Sequence, residues 1–297
     1  MSVAESAPGA SISHNTASMS PAEHIALIYG EKFVGYIALW NKQTKATQYF
    51  NCEELISLAE NIAQQSALND VYLAIGTQAE KLPSHKRGGT DSVSSLPGFF
   101  VDVDFASAKD SKKNYPEDQN EALRILASFP HEPTLILNTG NGLHATFAFT
   151  TAFEIRSKND LDRAKRVSSA FQRKFGSHFR RHGKEVDSVG DLARNTRVAG
   201  TKNHKSEPAK PVRLVAKHPD SRMSFEDFEK WSADLADPIF DHKEEKSFDY
   251  GEADHDRIYT QCAWYRIEFV DAAATSDEPT WYAGASILAR CENGDLI

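Results

Sequence analysis

The chain has 297 residues, of which 40% are hydrophobic and 26% are charged, enough for one large folded domain or two smaller ones. No stretch approaches about 18 consecutive apolar residues, the first residues do not resemble a secretory signal, and the three cysteines form no CxxC pair. A membrane span and a zinc knuckle are therefore not expected, and the sequence predicts a reduced, cytoplasmic protein. The net charge is −8, yet residues 151–217 contain 17 Lys and Arg against 7 Asp and Glu. This basic stretch predicts either a phosphate-binding surface or a solvated helix face.

The N-terminal third predicts an α/β unit that follows a disordered Ser/Ala/Gly tail over residues 1–20. Ser20 and Pro21 have the residue types of a helix start. In chain order, the patterns then predict a β-hairpin of GYIALW and KATQYF, an amphipathic helix from Glu53 to Gln65, and a buried strand VYLAIGT.

The remaining two thirds predict strands, helices and a long basic helix in alternation. A polar loop is predicted over residues 80–97, followed by a strand FFVDVDF, a helix over 116–128, and strands TLILNTG and HATFAF joined by a Gly-rich turn. A basic helix over 153–179 comes next, then an irregular segment to Lys205 and a strand PVRLV. The last predicted elements are a helix after Ser224, an acidic linker over 237–255 and a final segment with helical spacing.

The first motif with chemical meaning is the pair Asp102 and Asp104 in FFVDVDF. Side chains two residues apart on a strand point to the same face, so both carboxylates project together from an apolar strand. Like charges in such a place repel unless a cation lies between them, and paired Asp ligands suit Mg²⁺ or Mn²⁺. The alternative is a strand end at which both acids are solvated.

The second motif is the turn NTGNGLH, which contains Gly142 and ends at His144. Its glycines permit a close approach of a ligand to the backbone, and exposed N–H groups in such a turn can bind phosphate oxygens. An ordinary Gly-rich hairpin turn with a histidine after it is the alternative.

The third motif is VDSVGDLARNTRVAGTKNHK, residues 186–205. Asp187 and Asp191 are the candidates for a third carboxylate, and Arg194, Arg197 and Lys205 supply positive charge beside them. Acids and bases close together in a loop suit a metal–triphosphate site, whereas a surface cluster of ion pairs is the alternative.

Taken together and in this order, the three motifs resemble the archaeo-eukaryotic primase superfamily, and most closely the primase-polymerases of phages and plasmids. The resemblance covers about residues 30–216. The sequence departs from that pattern at Val198-Ala199, where a proline is usual, and at Asn195-Thr196, where apolar residues are usual between the two arginines.

The resemblance implies an α+β fold, in which a catalytic module like an RNA-recognition motif packs against a smaller N-terminal α/β unit. It also implies that Asp102, Asp104 and Asp187 hold two divalent ions, with Asp191 as the second choice for the third acid. The residues implied to bind the nucleotide are His144, Gly142, Arg197, Asn203 and Lys205.

The expected partners are a single-stranded DNA template, dNTP or NTP, and a fused or separate helicase. Candidate DNA contacts are Lys86, Arg87, Arg166, Arg173 and Arg194. We expect a primase-polymerase domain over residues 21–220 and a helical C-terminal region over 221–297, which leads to a helicase if the chain is part of a longer protein. Two other classes stay open: a non-catalytic replication-initiator module, and other DxD metal enzymes such as glycosyltransferases or phosphohydrolases.

Overall fold

The computed structural model of the protein describes residues 18–108 and 113–233. The predicted tail over residues 1–17, the acidic linker and the final helical segment lie outside these residues. The chain divides into two units, Met1–Ala236 and Asp237–Ile297, and the description below concerns the first. Within the described ranges, no helix has both the length and the apolarity needed to cross a bilayer.

The described unit has the predicted α+β class, with antiparallel sheets and separate helices. The helices are α1 (Pro21–Tyr29), α2 (Leu55–Ser66), α3 (Gln119–Ala127), α4 (Lys158–Arg181) and α5 (Phe225–Ala233). The strands are β1 (Ile37–Asn41), β2 (Thr47–Phe50), β3 (Val71–Ala74), β4 (Thr77–Gln78), β5 (Val93–Asp104), β6 (Leu135–Asn138), β7 (Gly142–Glu154), β8 (Asn195–Arg197), β9 (Lys202–Asn203), β10 (Lys210–Pro211) and β11 (Arg213–Lys217).

The smaller sheet has the strand order β2-β1-β3-β8 and packs against α2, which in turn contacts α1. Helix α1 starts as predicted: the hydroxyl of Ser20 accepts from the Glu23 N–H, and the Glu23 carboxylate accepts from the Ser20 N–H, which forms a capping box. The predicted β1–β2 hairpin is present. Strand β8 comes from the segment predicted to be irregular, and it completes this N-terminal sheet from a distant part of the chain.

The larger sheet has the order β11-β6-β7-β5-β4, in which the acidic strand β5 lies between β7 and the edge strand β4. Along the chain, β5, α3, β6, β7, α4 and β11 follow the order strand, helix, strand, strand, helix, strand. Strand β5 begins at Val93, inside the stretch predicted as a loop. The register of β5 against β7 shifts between Leu96 and Gly98, so Pro97 lies in a bulge, where a strand tolerates a proline.

One face of the larger sheet is an aromatic core that α4 and α5 cover. Phe99 of β5 stacks on Phe171 of α4 with 4.9 Å between ring centroids, and Phe147 of β7 contacts the same ring at 5.1 Å. Helix α5 joins this core because Phe225 stacks on Phe153 at 3.8 Å. The opposite face of β5, on which Asp102 and Asp104 lie, is therefore left for the site described next.

Candidate active site

Three side chains form a row across the opposite face of the larger sheet. Asp102 of β5 lies directly across from His144 of β7, and on its other side it makes an isolated antiparallel bridge with Asp187. Side chains of directly opposed residues share a face, with Cβ atoms about 4.5–5.5 Å apart. Asp104, two residues along β5, shares the face too. The structure thus brings the three predicted acids and the predicted histidine to one surface.

His144 is a neutral imidazole that presents one N–H to the acids. Burial lowers its pKa to about 3, with Arg197 the next largest cause. The backbone N–H of Arg197 donates to Nδ1 over 3.2 Å, which places the ring proton on Nε2. Nε2 lies 3.6 Å from Asp102 Oδ1. The His144 ring is therefore a fixed hydrogen-bond donor that points toward the carboxylate pair.

The carboxylate of Asp187 contacts two side chains of the segment before α3. Its Oδ1 accepts from the ammonium of Lys113 at 2.5 Å and from the hydroxyl of Tyr115 at 3.0 Å. Among the described residues, no three acid, histidine or cysteine side chains are placed closely enough to hold a metal ion. The backbone positions fit a divalent ion, since three carboxylate-bearing residues share one face, and an ion bound there would compete with Lys113 for the Asp187 carboxylate.

Asp191, the second choice for the third acid, lines the same cleft as Asp102 and Asp104. Its Oδ1 accepts from the Thr90 hydroxyl and from the backbone N–H of Ala193. The Asp191 carboxylate thus fixes its own turn and ties that turn to the segment before β5.

Asp102 and Asp104 open into a cleft of about 380 Å³ between the two sheets, within the size range of small-ligand sites, whereas Asp187 is not among the residues that line it. The smaller sheet lines the cleft with Trp40, Tyr72 and Arg197, and the loop before β5 adds Arg87. The other cations that line the cleft are Lys42, Arg194 and Lys205. Carboxylates at one wall and cations around them form an arrangement suited to a metal-bound polyphosphate.

Arg197 is buried, with 2% of its surface exposed, and three side chains already bind its guanidinium. Nη1 donates to Asp70 at 2.8 Å, and Nη2 donates to the Tyr72 hydroxyl at 2.8 Å and to Asn203 Oδ1 at 2.7 Å. Asn203 in turn donates to the Thr139 carbonyl at 2.7 Å. Arg197 and Asn203, both predicted to contact the nucleotide, therefore connect β3, β8 and the Gly-rich turn.

The Gly-rich turn is the hairpin between β6 and β7, and its N–H groups are used within the turn. The Thr139 N–H donates to the Gly142 carbonyl, and the Gly140 N–H donates to Asn138 Oδ1. At Gly142, the structure requires a residue without a side chain, because an added Cβ would lie 2.5 Å from the Val103 carbonyl oxygen. Its small size allows close packing of β7 against β5 beside Asp104.

The five predicted DNA contacts separate into two groups in the structure. Arg87 and Arg194 line the cleft, and both are exposed. Lys86 is exposed in the same loop as Arg87 but does not line the cleft. Arg166 and Arg173 are exposed on α4, which packs on the sheet face opposite the acids. The basic helix thus contributes neither residue to the cleft.

Sequence reasoning did not identify Trp40, Tyr72 or Lys42 as site residues. Trp40 and Lys42 belong to the predicted hairpin, and Tyr72 to the predicted strand, where aromatic residues are ordinary strand formers. A weak signal was available: alternation along β1 and β3 puts Trp40 and Tyr72 on the sheet face opposite buried Leu39 and Leu73.

Fold and site together define an α+β protein with an acid-lined and cation-lined cleft between two antiparallel sheets. No protein-family model matches the sequence, and no curated protein matches it. Solved structures do match. The archaeo-eukaryotic primase domain of the cyanophage S-2L primase-polymerase has 12% identity and a TM-score of 0.43, over 71% of this chain and 92% of that chain.

Two further matches are to the primase RepB′. Its catalytic domain in complex with initiator DNA has 14% identity and a TM-score of 0.43, over 72% of this chain and 94% of that one. A second RepB′ structure has 14% identity and a TM-score of 0.44, over 91% of this chain and 81% of that one. These proteins are of the class that the sequence motifs resemble.

Proposed function

We propose that the chain catalyses template-dependent nucleotidyl transfer on single-stranded DNA, as a primase or DNA polymerase in phage or plasmid replication. The observation that carries this proposal is the row of His144, Asp102 and Asp187, with Asp104 two residues along the same strand. Such a row beside a cation-lined cleft has the ligands and the charges that a metal-bound nucleoside triphosphate needs.

The three carboxylates of the row are assigned to the divalent ions. Asp102, Asp104 and Asp187 would hold Mg²⁺ or Mn²⁺, and ions bound there would supply activation of a 3′-hydroxyl and charge neutralisation on the triphosphate. Lys113 forms an ion pair with the Asp187 carboxylate, so its ammonium must be displaced when that carboxylate binds an ion.

The remaining polar groups of the cleft are assigned to the nucleotide. His144 donates from Nε2 to a phosphate oxygen, and its low pKa keeps it neutral, so this proton is not lost or gained near neutral pH. Lys205 and Arg194 line the cleft with exposed cations that meet the triphosphate. Arg197 acts as a positioning residue, since its backbone N–H fixes the His144 ring.

The test is primer synthesis on single-stranded circular DNA with labelled dNTP or NTP and either Mg²⁺ or Mn²⁺. We expect labelled strands from the wild type and none from Asp102→Asn or Asp104→Asn. The matched control is Asp162→Asn, an exposed carboxylate on α4 that no hydrogen bond or ion pair involves among the described residues. That variant should synthesise as the wild type does. Adding or omitting a primer separates a polymerase from a primase.

The alternative is a replication-initiator module that binds DNA without catalysis. The ion pair of Asp187 with Lys113 favours this alternative, because a cation of the chain itself already neutralises the third acid. Mn²⁺-dependent binding of a labelled nucleotide distinguishes the two: the enzyme requires it, whereas an initiator module binds DNA alone. Full synthesis by Asp102→Asn would show that the metal site has been assigned to the wrong strand.

A further inference from the structure

Trp40 occupies a position in the cleft that the roles above do not use. It lies directly opposite Tyr72 in the pairing of β1 and β3, and Tyr72 lies directly opposite Arg197 in the pairing of β3 and β8. The three side chains therefore form a second row, on the face of the smaller sheet that lines the cleft. The two rings are 5.5 Å apart between centroids and are tilted by 37°.

These rings supply the cleft's aromatic surface, because the other described residues that line it are polar, charged or small. Tyr72 already has a partner, since the Arg197 guanidinium lies 4.7 Å from its centroid. Trp40 is only half-buried, and two cations lie over its ring, Arg87 at 4.6 Å and Lys45 at 5.7 Å from the centroid; both belong to exposed turns or loops. The Trp40 face can thus change its partner without a change in the core.

Trp40 and the acids Asp102 and Asp104 line one cleft, and Arg197 and His144 connect them. Two strand spacings, about 10 Å, separate Trp40 from Arg197 across the smaller sheet. The Arg197 N–H then hydrogen-bonds to His144, which faces Asp102. A flat group on Trp40 and a triphosphate beside the acids therefore lie within a single cleft of about 380 Å³.

We propose that Trp40 is the stacking platform for the nucleobase of the incoming nucleoside triphosphate, and that Arg87 closes over the base. This inference rests on the proposed function, and it adds the way in which the same cleft holds the base. Arg87 now lies 4.6 Å from the Trp40 centroid, too close for a base between them, so its side chain must lift before the base enters. Gly88, at φ +78°, follows Arg87 and permits such a movement of the loop.

A stacked base is held by its ring face and not by its edges, so the platform serves all four bases. Stacking on an aromatic side chain corresponds to about a 5- to 150-fold gain in affinity. Inorganic triphosphate, which has no base, gains nothing from Trp40. The contrast between these two ligands isolates the platform from the metal and phosphate contacts.

The experiment measures equilibrium binding of a dNTP and of inorganic triphosphate, each with Mn²⁺, to the full chain. We expect Trp40→Ala to weaken dNTP binding about 5- to 150-fold and to leave triphosphate binding unchanged, while Trp40→Phe retains most of the dNTP affinity. The matched control is Trp231→Phe, whose ring packs against Phe129 away from the cleft and should alter neither affinity. Arg87→Ala, a change in an exposed loop, should weaken dNTP binding alone and by a smaller factor.

Four results overturn the inference. An equal loss of dNTP and triphosphate binding in Trp40→Ala would mean that the ring supports the cleft and does not bind the base. If both Trp40→Ala and Arg87→Ala bind dNTP with the wild-type affinity, Trp40 is not a stacking platform, but the proposed function is unaffected. Weaker binding of a single-stranded oligonucleotide with intact dNTP binding would assign Trp40 to the template. If the wild type binds neither dNTP nor triphosphate, the proposed function fails together with this inference.

Discussion

Replacement of Asp70 with Asn removes the carboxylate that neutralises the buried Arg197 guanidinium. The two side chains are 2% and 3% exposed, and Arg197 Nη1 lies 2.8 Å from Asp70 Oδ1. Burial acts to raise the pKa of Asp70, but hydrogen bonds from Arg197 and from the His204 backbone hold that pKa below its usual value. Since the change leaves a buried charge uncompensated, we expect the free energy of unfolding to fall by about 3–5 kcal/mol.

Urea unfolding at pH 7 measures this loss. With a slope of about 3 kcal/mol per molar urea, the midpoint of Asp70→Asn should lie about 1–2 M below that of the wild type. The matched control is Asp91→Asn. Asp91 also forms an ion pair, with Lys165 at 2.7 Å, but that pair is exposed, so its removal should leave the midpoint unchanged.

The pH dependence follows from the lowered pKa of Asp70. The pKa of the Asp70 carboxyl group is lower in the folded protein than in the unfolded chain, where it is about 3.9. The ionised carboxylate therefore stabilises the fold at any pH above the unfolded pKa, and this stabilisation is lost as the pH falls through the folded pKa. The wild-type and Asp70→Asn stabilities should therefore converge in acid. A loss below about 1 kcal/mol at pH 7, the size expected of an exposed pair, would refute the reasoning. Arg197 would then be available to contact the triphosphate, as the sequence motif implies.

Three further predictions concern close packing, a buried imidazole and the third acid. Gly142→Ala should lower the free energy of unfolding by about 1–3 kcal/mol and should also reduce primer synthesis, because the added Cβ meets the backbone of β5. The control is Gly89→Ala, whose Cβ meets nothing within 4 Å and which should change neither quantity. Burial lowers the pKa of His24 to about 4, so between about pH 6.5 and pH 4 the unfolded chain binds a proton that the folded protein does not. Over that range, the free energy of unfolding should fall by about 1.4 kcal/mol for each unit by which the pH is lowered. His24→Asn should reduce this slope in urea titrations at pH 5 and pH 7. Asp187→Asn should abolish synthesis, whereas Asp191→Asn should reduce it less than about tenfold, since Asp191 fixes its own turn.

Each of these predictions has an outcome that contradicts it. Equal effects of Gly142→Ala and Gly89→Ala would mean that β5 and β7 are not closely packed at the acids. An unchanged slope in His24→Asn would mean that His24 is protonated in the folded state. Loss of synthesis in Asp191→Asn with activity retained in Asp187→Asn would exchange the two acids as metal ligands.

Local signals in the sequence predicted much of the fold. Ser20 with Pro21 predicted the start of α1, and the spacing of apolar residues predicted α2. The alternation in FFVDVDF predicted that Asp102 and Asp104 share a face. These predictions hold because each depends on residues only a few positions apart.

Features that depend on distant contacts were not predicted. Strand β8 has three polar residues and no hydrophobic alternation, and it is a strand only because Thr196 and Arg197 pair with β3. The burial of Arg197 needs Asp70, which lies 127 positions earlier. Strand β5 begins six residues before its apolar core, since pairing with β4 and β7 outweighs the local preference of a Ser- and Pro-containing stretch.

The same contacts connect the stability of the smaller sheet with the chemistry of the larger one. Arg197 holds Asp70 and Tyr72 with its guanidinium, and its backbone N–H fixes the tautomer of His144. A change that shifts β8 therefore alters the direction of the Nε2 proton that faces Asp102, even where the acids themselves are intact. Arg197, a basic residue of the third motif, thus affects the site through its position in the sheet. Its guanidinium donates to three side chains from two nitrogens, so we expect that lysine, which has a single donor nitrogen, could not replace it.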